Sequence, residues 1–229
     1  NQRKDFPMLL KKEKPAQIDP LENWPEHYYE IENAKERKEL DVFHLGGIYG
    51  IKGVDLDSDF IHTALEYWDV DTHCFRIGYD EISPLPEEFG AILGFPAIDL
   101  VVIPRVDAYY YKDFERFFNL KERDLSKIVD GNIVNLKEFA RHYFDKPLSE
   151  SFHIYRRRAF LFCMLNQFFL SSGKNNEGQS IITTVLEQIE SGRNPMPLIV
   201  GETMISLDEL KRDPKAPLRG SPILLQVEK

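Results

Sequence analysis

Cysteine is scarce. Cys74 and Cys163 are the only two in 229 residues, they lie far apart, and neither belongs to a Cys-x-x-Cys pair. That count and spacing argue against a disulfide framework and a zinc knuckle, and lead us to expect a reducing, intracellular compartment. Long apolar runs are missing as well. The longest, Ala159 to Leu170, is broken by Asn166 and Gln167 and falls short of the ~20 residues a helix needs to cross a bilayer, so no membrane helix is expected. Positive charge is in deficit: 29 Lys and Arg against 38 Asp and Glu leave a formal net charge of -9. An acidic surface repels polyanions before contact, so nucleic-acid binding would need a local basic patch. Low-complexity tracts, internal repeats and a signal-like apolar segment are also lacking. The chain starts without methionine and stops inside the apolar run Ile223 to Val227, and it reads as a piece of a longer protein.

What is present is apolar periodicity. Hydrophobic residues make up 42% and include 16 Phe and 10 Tyr, enough to fill a core in a chain that buries roughly 70% of its unfolded surface. Residues 1–20 are rich in Lys, Glu and Pro without periodicity and read as an extended charged arm. Residues 21–229 read as one compact domain with a truncated C-terminus. It starts with a charged helical stretch closed by the glycine-spaced run Gly46 to Gly53.

Phe60, Ile61, Ala64, Leu65 and Trp68 recur at helical spacing behind the cap candidates Asp57 and Ser58. Phe75, Ile77 and Ile82 alternate around Gly78-Tyr79-Asp80, which predicts a small hairpin. Pro86, Glu87 and Glu88 open a second helix that Gly94 can close. Val101 to Pro104 reads as a brief strand or an extended linker. Further stripes are Tyr111, Phe114, Phe117 and Phe118; a short helix from Glu122 to Asp130 ended by Gly131; and Leu136, Phe139, Ala140, Tyr143 and Phe144 behind Asn135. Residues 151–171 are apolar almost all round from Ala159 onward, which predicts a central helix enclosed by others. A polar loop, a stripe from Ile181 to Ile189 ended by Gly192, and a helix opened by Pro197 complete the pattern. The fold class expected is mainly α: a compact multi-helix domain around a buried central helix, with one small β-hairpin.

Chemistry-bearing residues are few. Asp69 with Asp71 and Glu87 with Glu88 are paired acids, but acid-base catalysis needs two carboxylates facing one cleft, and adjacent helical residues point about 100° apart. Turn formation after Trp68 and first-turn acids are the readings preferred. His73-Cys74 lacks a second closely spaced His/Cys pair to complete a zinc site, and His142 and His153 are isolated. Cys163 falls in the most apolar helix and reads as core. The glycines from 46 to 53 lack the Gly-Lys-Ser/Thr ending of a phosphate loop. Arg156, Arg157 and Arg158 form the best basic cluster, yet consecutive helical residues cannot all face one partner; an internal salt bridge is the stronger expectation. Arg156 and Arg157, with Tyr109 and Tyr110 from an aromatic-rich run, remain the candidates for partner or nucleic-acid contact.

The segment from Trp68-Asp69-Val70-Asp71 through Phe89-Gly90-Ala91-Ile92-Leu93-Gly94 resembles the signature of the plant mobile domain, found in plant retrotransposons and in Maintenance-of-Meristems-like host proteins. Tyr155 to Phe160, Asn194-Pro195-Met196-Pro197 through Thr203, and Gly220-Ser221-Pro222 through Gln226 resemble later parts of the same family, in the same order. The likeness covers roughly residues 55–227. The chain departs from the family's usual ending, since Glu228 and Lys229 follow Val227 where apolar residues and a tryptophan would continue. The resemblance implies a helical domain with no catalytic residue to carry over and no cofactor. It also implies a role in transposon silencing and genome integrity, a nuclear location and a phosphatase-like protein partner. The expectation is a noncatalytic protein-interaction domain of a transposon-encoded or transposon-derived protein. The alternatives are a nucleic-acid-binding module, with Lys4, Lys11, Lys12, Lys14 and the arginines as its footprint, and an enzyme whose site is assembled from distant residues such as Asp69, Asp71, His73 and Arg156 or Arg157.

Overall fold

The computed structural model describes residues 57–95, 100–104, 110–144, 152–173 and 176–227. The arm expected over 1–20 and the charged stretch with its glycine run lie outside the described residues. Helix α1 (Ser58–Tyr67) starts where Asp57 Oδ1 accepts the Phe60 N–H at 3.0 Å, the expected cap, and stops as Trp68 turns extended. Trp68–Asp69 (β1), Cys74–Ile77 (β2) and Asp80–Ile82 (β3) then form an antiparallel sheet in the order β1-β2-β3. The β2-β3 connection is Gly78-Tyr79, with Gly78 at φ 68°, the glycine-first geometry of a tight II′ hairpin. The predicted hairpin is therefore present and gains a third strand from the chain that leaves α1.

Pro86 occupies the first turn of α2 (Pro86–Leu93), Glu87 and Glu88 sit at the positive end of its dipole, and Gly94 closes it in the left-handed conformation. Next come α3 (Tyr110–Phe118), α4 (Glu122–Ile128), β4 (Val129–Asp130), β5 (Ile133–Asn135) and α5 (Leu136–Phe144). The short helix expected to reach Asp130 ends at Ile128, because Val129 and Asp130 pair with Val134 and Ile133. Asn135 caps α5 as expected, its Oδ1 accepting the Glu138 N–H at 3.1 Å.

The central helix is α6 (His153–Met164), which widens into a π turn over Leu165–Phe169. There Asn166, 2% exposed, donates to the Phe162 carbonyl at 2.9 Å and accepts the Gln179 N–H at 2.6 Å. That second bond ties the π turn to β6 (Glu177–Gln179), the third strand of a sheet ordered β4-β5-β6. A Cβ on Gly178 would meet Leu136 Cδ2 at 2.5 Å, so a larger residue at this contact would have to displace that side chain. The chain finishes with α7 (Ile182–Glu190), α8 (Met196–Arg212) and α9 (Pro222–Val227).

The fold is mainly helical, with nine helices and two three-stranded sheets among the described residues. Every residue from Ala159 to Asn166 is buried, and α3, α5 and α7 pack on this helix. Phe114 and Phe118 of α3, Phe139 of α5 and Phe162 of α6, none of them exposed, bring three helices to one point with all six ring-centroid distances between 4.7 and 5.4 Å. Each such side chain contributes about 1.5–3 kcal/mol by burial alone. Helical spacing in three separate stretches of sequence thus converges on one aromatic knot.

Candidate functional site

Trp68 ends α1 at the margin of the core, and its indole N–H, being buried, needs an acceptor. Asp208 supplies it from α8: Trp68 Nε1 donates to Asp208 Oδ1 at 2.8 Å, and the acid is itself only 8% exposed. The other oxygen, Oδ2, lies 3.0 Å from His73 Nε2 and 3.9 Å from Arg212. His73 reaches this position through a left-handed backbone, φ 52°, that a side chain adopts only under constraint. Three bonds supply the constraint: the His73 N–H to the Asp69 carbonyl at 2.9 Å, the Ser83 hydroxyl to the His73 carbonyl at 3.0 Å, and the Asp208 contact. The hairpin is in this way buttoned to α8 at a tryptophan, an aspartate and a histidine.

Chemically, an aspartate on an imidazole is the orienting half of a catalytic triad, which would also need a hydroxyl or thiol against the ring. Ser83 Oγ donates to the main-chain carbonyl of His73, and the buried Cys74 Sγ sits 2.9 Å from Thr72 Oγ1. Asp69 and Asp71 do not face one another across a cleft. Asp69 Oδ1 instead accepts the N–H groups of Asp71 at 2.9 Å and Thr72 at 3.2 Å, and Oδ2 meets Arg76 at 2.8 Å. The Asp71 N–H is the largest influence and, helped by the Thr72 N–H and the Arg76 charge, holds the Asp69 carboxyl below the usual carboxylate range against burial, which opposes it more strongly than either helper acts alone. Among the described residues no group of three or more His, Cys, Asp or Glu side chains is arranged to hold a metal ion. Burial pushes the Cys163 thiol far above its ordinary range, as befits a core residue.

The arginine run resolves into three different environments. Arg156 is 3% exposed. Arg157 keeps 12% of its side chain exposed and lies 3.8 Å from Glu190. Arg158 grips Glu190 with Nε at 3.0 Å and Nη2 at 2.8 Å, donates from Nη1 to the Phe117 carbonyl at 3.0 Å, and lays its guanidinium 4.0 Å from the Phe117 ring centroid. The expected internal salt bridge is present, and Glu190 is the acid that sequence reading had not identified. Tyr109 and the Tyr110 side chain lie outside the described residues. Asp69 turns to Arg76, His73 to Asp208, and Arg157 and Arg158 to Glu190.

Exposed apolar side chains gather in two stretches among the described residues: Leu100, Val101 and Ile103 in one, and the first hairpin in the other. Ile77, Tyr79, Ile82 and Leu85 are all exposed, and all belong to the β2-β3 hairpin and the short segment after it. Asp208 and this row were the features missed from sequence. Asp208 had one legible signal, an acid set between buried Leu207 and Leu210 in a helix that must cover a tryptophan. No protein-family model, curated protein or solved structure matches the chain.

Proposed function

We propose that this chain is a noncatalytic protein-interaction domain of the plant-mobile-domain type, belonging to a transposon-encoded or transposon-derived plant protein. It acts in the nucleus in transposon silencing and genome integrity. The order of motifs from Trp68 to Gln226 supports the family reading, and a helical body with a short sheet that starts at Trp68 is compatible with it. The observation that carries the interaction reading is the hairpin with the short segment after it, where four large apolar side chains stand in solvent beside the Trp68–Asp208 bond to the core. Scattered exposed apolar residues are ordinary; four within nine consecutive positions are a concentration of the kind partners cover. A phosphatase-like partner is the one that the resemblance suggests.

The test is capture of proteins from plant nuclear extract by the folded chain, before and after nuclease. A protein retained in a nuclease-resistant, saturable way supports the reading. Retention that nuclease abolishes, together with direct binding of DNA or RNA that weakens steeply with salt, replaces it with the nucleic-acid alternative.

A further inference from the structure

The register of the first sheet shows where its apolar face leads. Trp68 lies opposite Phe75, and Phe75 opposite Ile82, so these three side chains form one row across β1, β2 and β3. Trp68 is 2% exposed and its ring centroid is 4.8 Å from that of Phe75, whereas Ile82 is 51% exposed. Ile77 shares this face and is 50% exposed. The helices stop short of the row's end: α8 packs on β1 and α1 on β2, while the chief neighbour of β3 is β2. The core side of the sheet therefore projects past the helical body, carrying its apolar pattern into water.

The same strand ends the sheet. β3 follows β2 in the order β1-β2-β3 and pairs with no other strand among the described residues. In a hairpin closed by a two-residue turn, the pair next to the turn is the hydrogen-bonded one, here Ile77 with Asp80, and the bonding alternates outward from it. Glu81 then directs its N–H and C=O away from β2, toward the open edge. Charge narrows the choice of occupant further. Residues 77–95 contain Asp80, Glu81, Glu87 and Glu88 and no lysine or arginine. Arg76 lies 3.1 Å from Glu81 but is shared with Asp69, and no ion pair neutralises Asp80, Glu87 or Glu88 among the described residues.

Building on the interaction reading above, we propose that the edge of β3 receives an extended segment of a protein partner in which apolar and basic side chains alternate. Such a segment adds as a fourth strand. Its backbone meets the outward N–H and C=O of Glu81, its apolar side chains continue the Trp68-Phe75-Ile82 row, and its cations face the acids of the hairpin and of the start of α2. Main-chain bonds and alternate side-chain contacts are the recognition mode that an open edge offers, and the acidic border selects against polyanions.

The probe is a capped nine-residue peptide alternating valine and lysine, labelled and titrated by fluorescence anisotropy into the 229-residue chain. Saturable binding is expected, weakened at least tenfold by Ile82→Lys and at least tenfold by N-methylation of alternate peptide amides. Glu122→Gln changes the charge by the same amount on α4, a helix whose main contacts are α5 and β4, and is expected to leave binding within twofold. Ile82 is half exposed, so its variant is expected to keep the wild-type circular dichroism and melting temperature. Equal binding by Ile82→Lys, by the N-methylated peptide, or by a valine-glutamate counterpart overturns the proposal. So does dimerisation in sedimentation that Ile82→Lys abolishes, which would make a second copy the occupant. A protein captured from extract with undiminished retention by Ile82→Lys removes the hairpin and leaves the interaction function standing.

Discussion

Replacing Asp208 with alanine takes away the acceptor on which the hairpin closes. The Trp68 indole N–H, 2.8 Å from Asp208 Oδ1, is left buried without a partner. A hydrogen bond to a charged group contributes about 1.5–3 kcal/mol, and an orphaned buried donor costs about 1–3 kcal/mol by desolvation. These figures overlap and do not add. The second contact is weaker, because the His73 side chain is 50% exposed and pairs at that exposure contribute about 1 kcal/mol or less. The expected loss for Asp208→Ala is therefore about 3 kcal/mol, which for a chain of this size lowers the melting temperature by about 6–12 °C. Asp208→Asn should lose less, since its amide oxygen still accepts from Trp68 while its NH2 faces His73. The assay is thermal unfolding by circular dichroism, with a double-mutant cycle against Trp68→Phe. A coupling energy of about 1 kcal/mol or more between positions 68 and 208 is expected. A melting temperature for Asp208→Ala within about 2 °C of the wild type, or additive single effects, would refute the reasoning.

Arg158→Ala should cost about 1–3 kcal/mol, short of the about 3–5 kcal/mol of a fully buried pair because Arg157 remains 3.8 Å from Glu190. Arg158→Lys should recover little in the same thermal assay, since an ammonium cannot both fork onto Glu190 and lie flat on Phe117. Gly220→Ala combines φ 74° with a Cβ placed 2.6 Å from Thr203 Oγ1 and should cost about 2–5 kcal/mol in urea unfolding. Gly192→Ala, at φ 84° but with open space around its Cβ, should cost only about 1–2 kcal/mol; equal losses at the two sites would show that crowding at Gly220 is unimportant. Asp69→Asn should flatten the acid limb of stability against pH. The folded carboxyl titrates below its unfolded value, so its contribution is present above the ordinary carboxylate range and is lost as pH falls through the lowered value. An unchanged acid limb in the variant would remove that assignment.

The helices before α9 were legible because they carry their own repeats; α9, six residues long, is too short to show one. The Asp57 cap, Pro86 and Gly94 around α2, and Asn135 before α5 all act where their side chains or backbone freedom predict. The second sheet was not legible, since β4 has two residues and β5 and β6 three each, too few for alternation to register. Its third strand comes from a polar loop and is fixed by Asn166, a residue whose place in the most apolar helix reads as an interruption until its bonds to Phe162 and Gln179 are seen. The site was half legible for a similar reason. Trp68, His73 and the arginines are conspicuous residue types, but Asp208 lies 140 positions from Trp68 and Glu190 32 positions from Arg158, and only tertiary packing pairs them.

The distribution of charge bears on how any binding result should be read. Arg158 is committed to Glu190, Arg76 to Asp69 and Glu81, and Arg219 to Glu209, whereas residues 77–95, from the end of β2 through α2, hold four acids and no lysine or arginine. A basic peptide on that surface and a nucleic acid on some other surface would both weaken as salt is raised, because added ions screen either attraction. Salt dependence by itself is consequently the wrong discriminator between them. The sign of a charge change is the right one: lysine at position 82 repels a basic strand and attracts a polyanion. Ile82→Lys is therefore expected to weaken a basic strand seated on β3 at low ionic strength, while a nucleic acid held on another surface keeps its affinity or gains slightly.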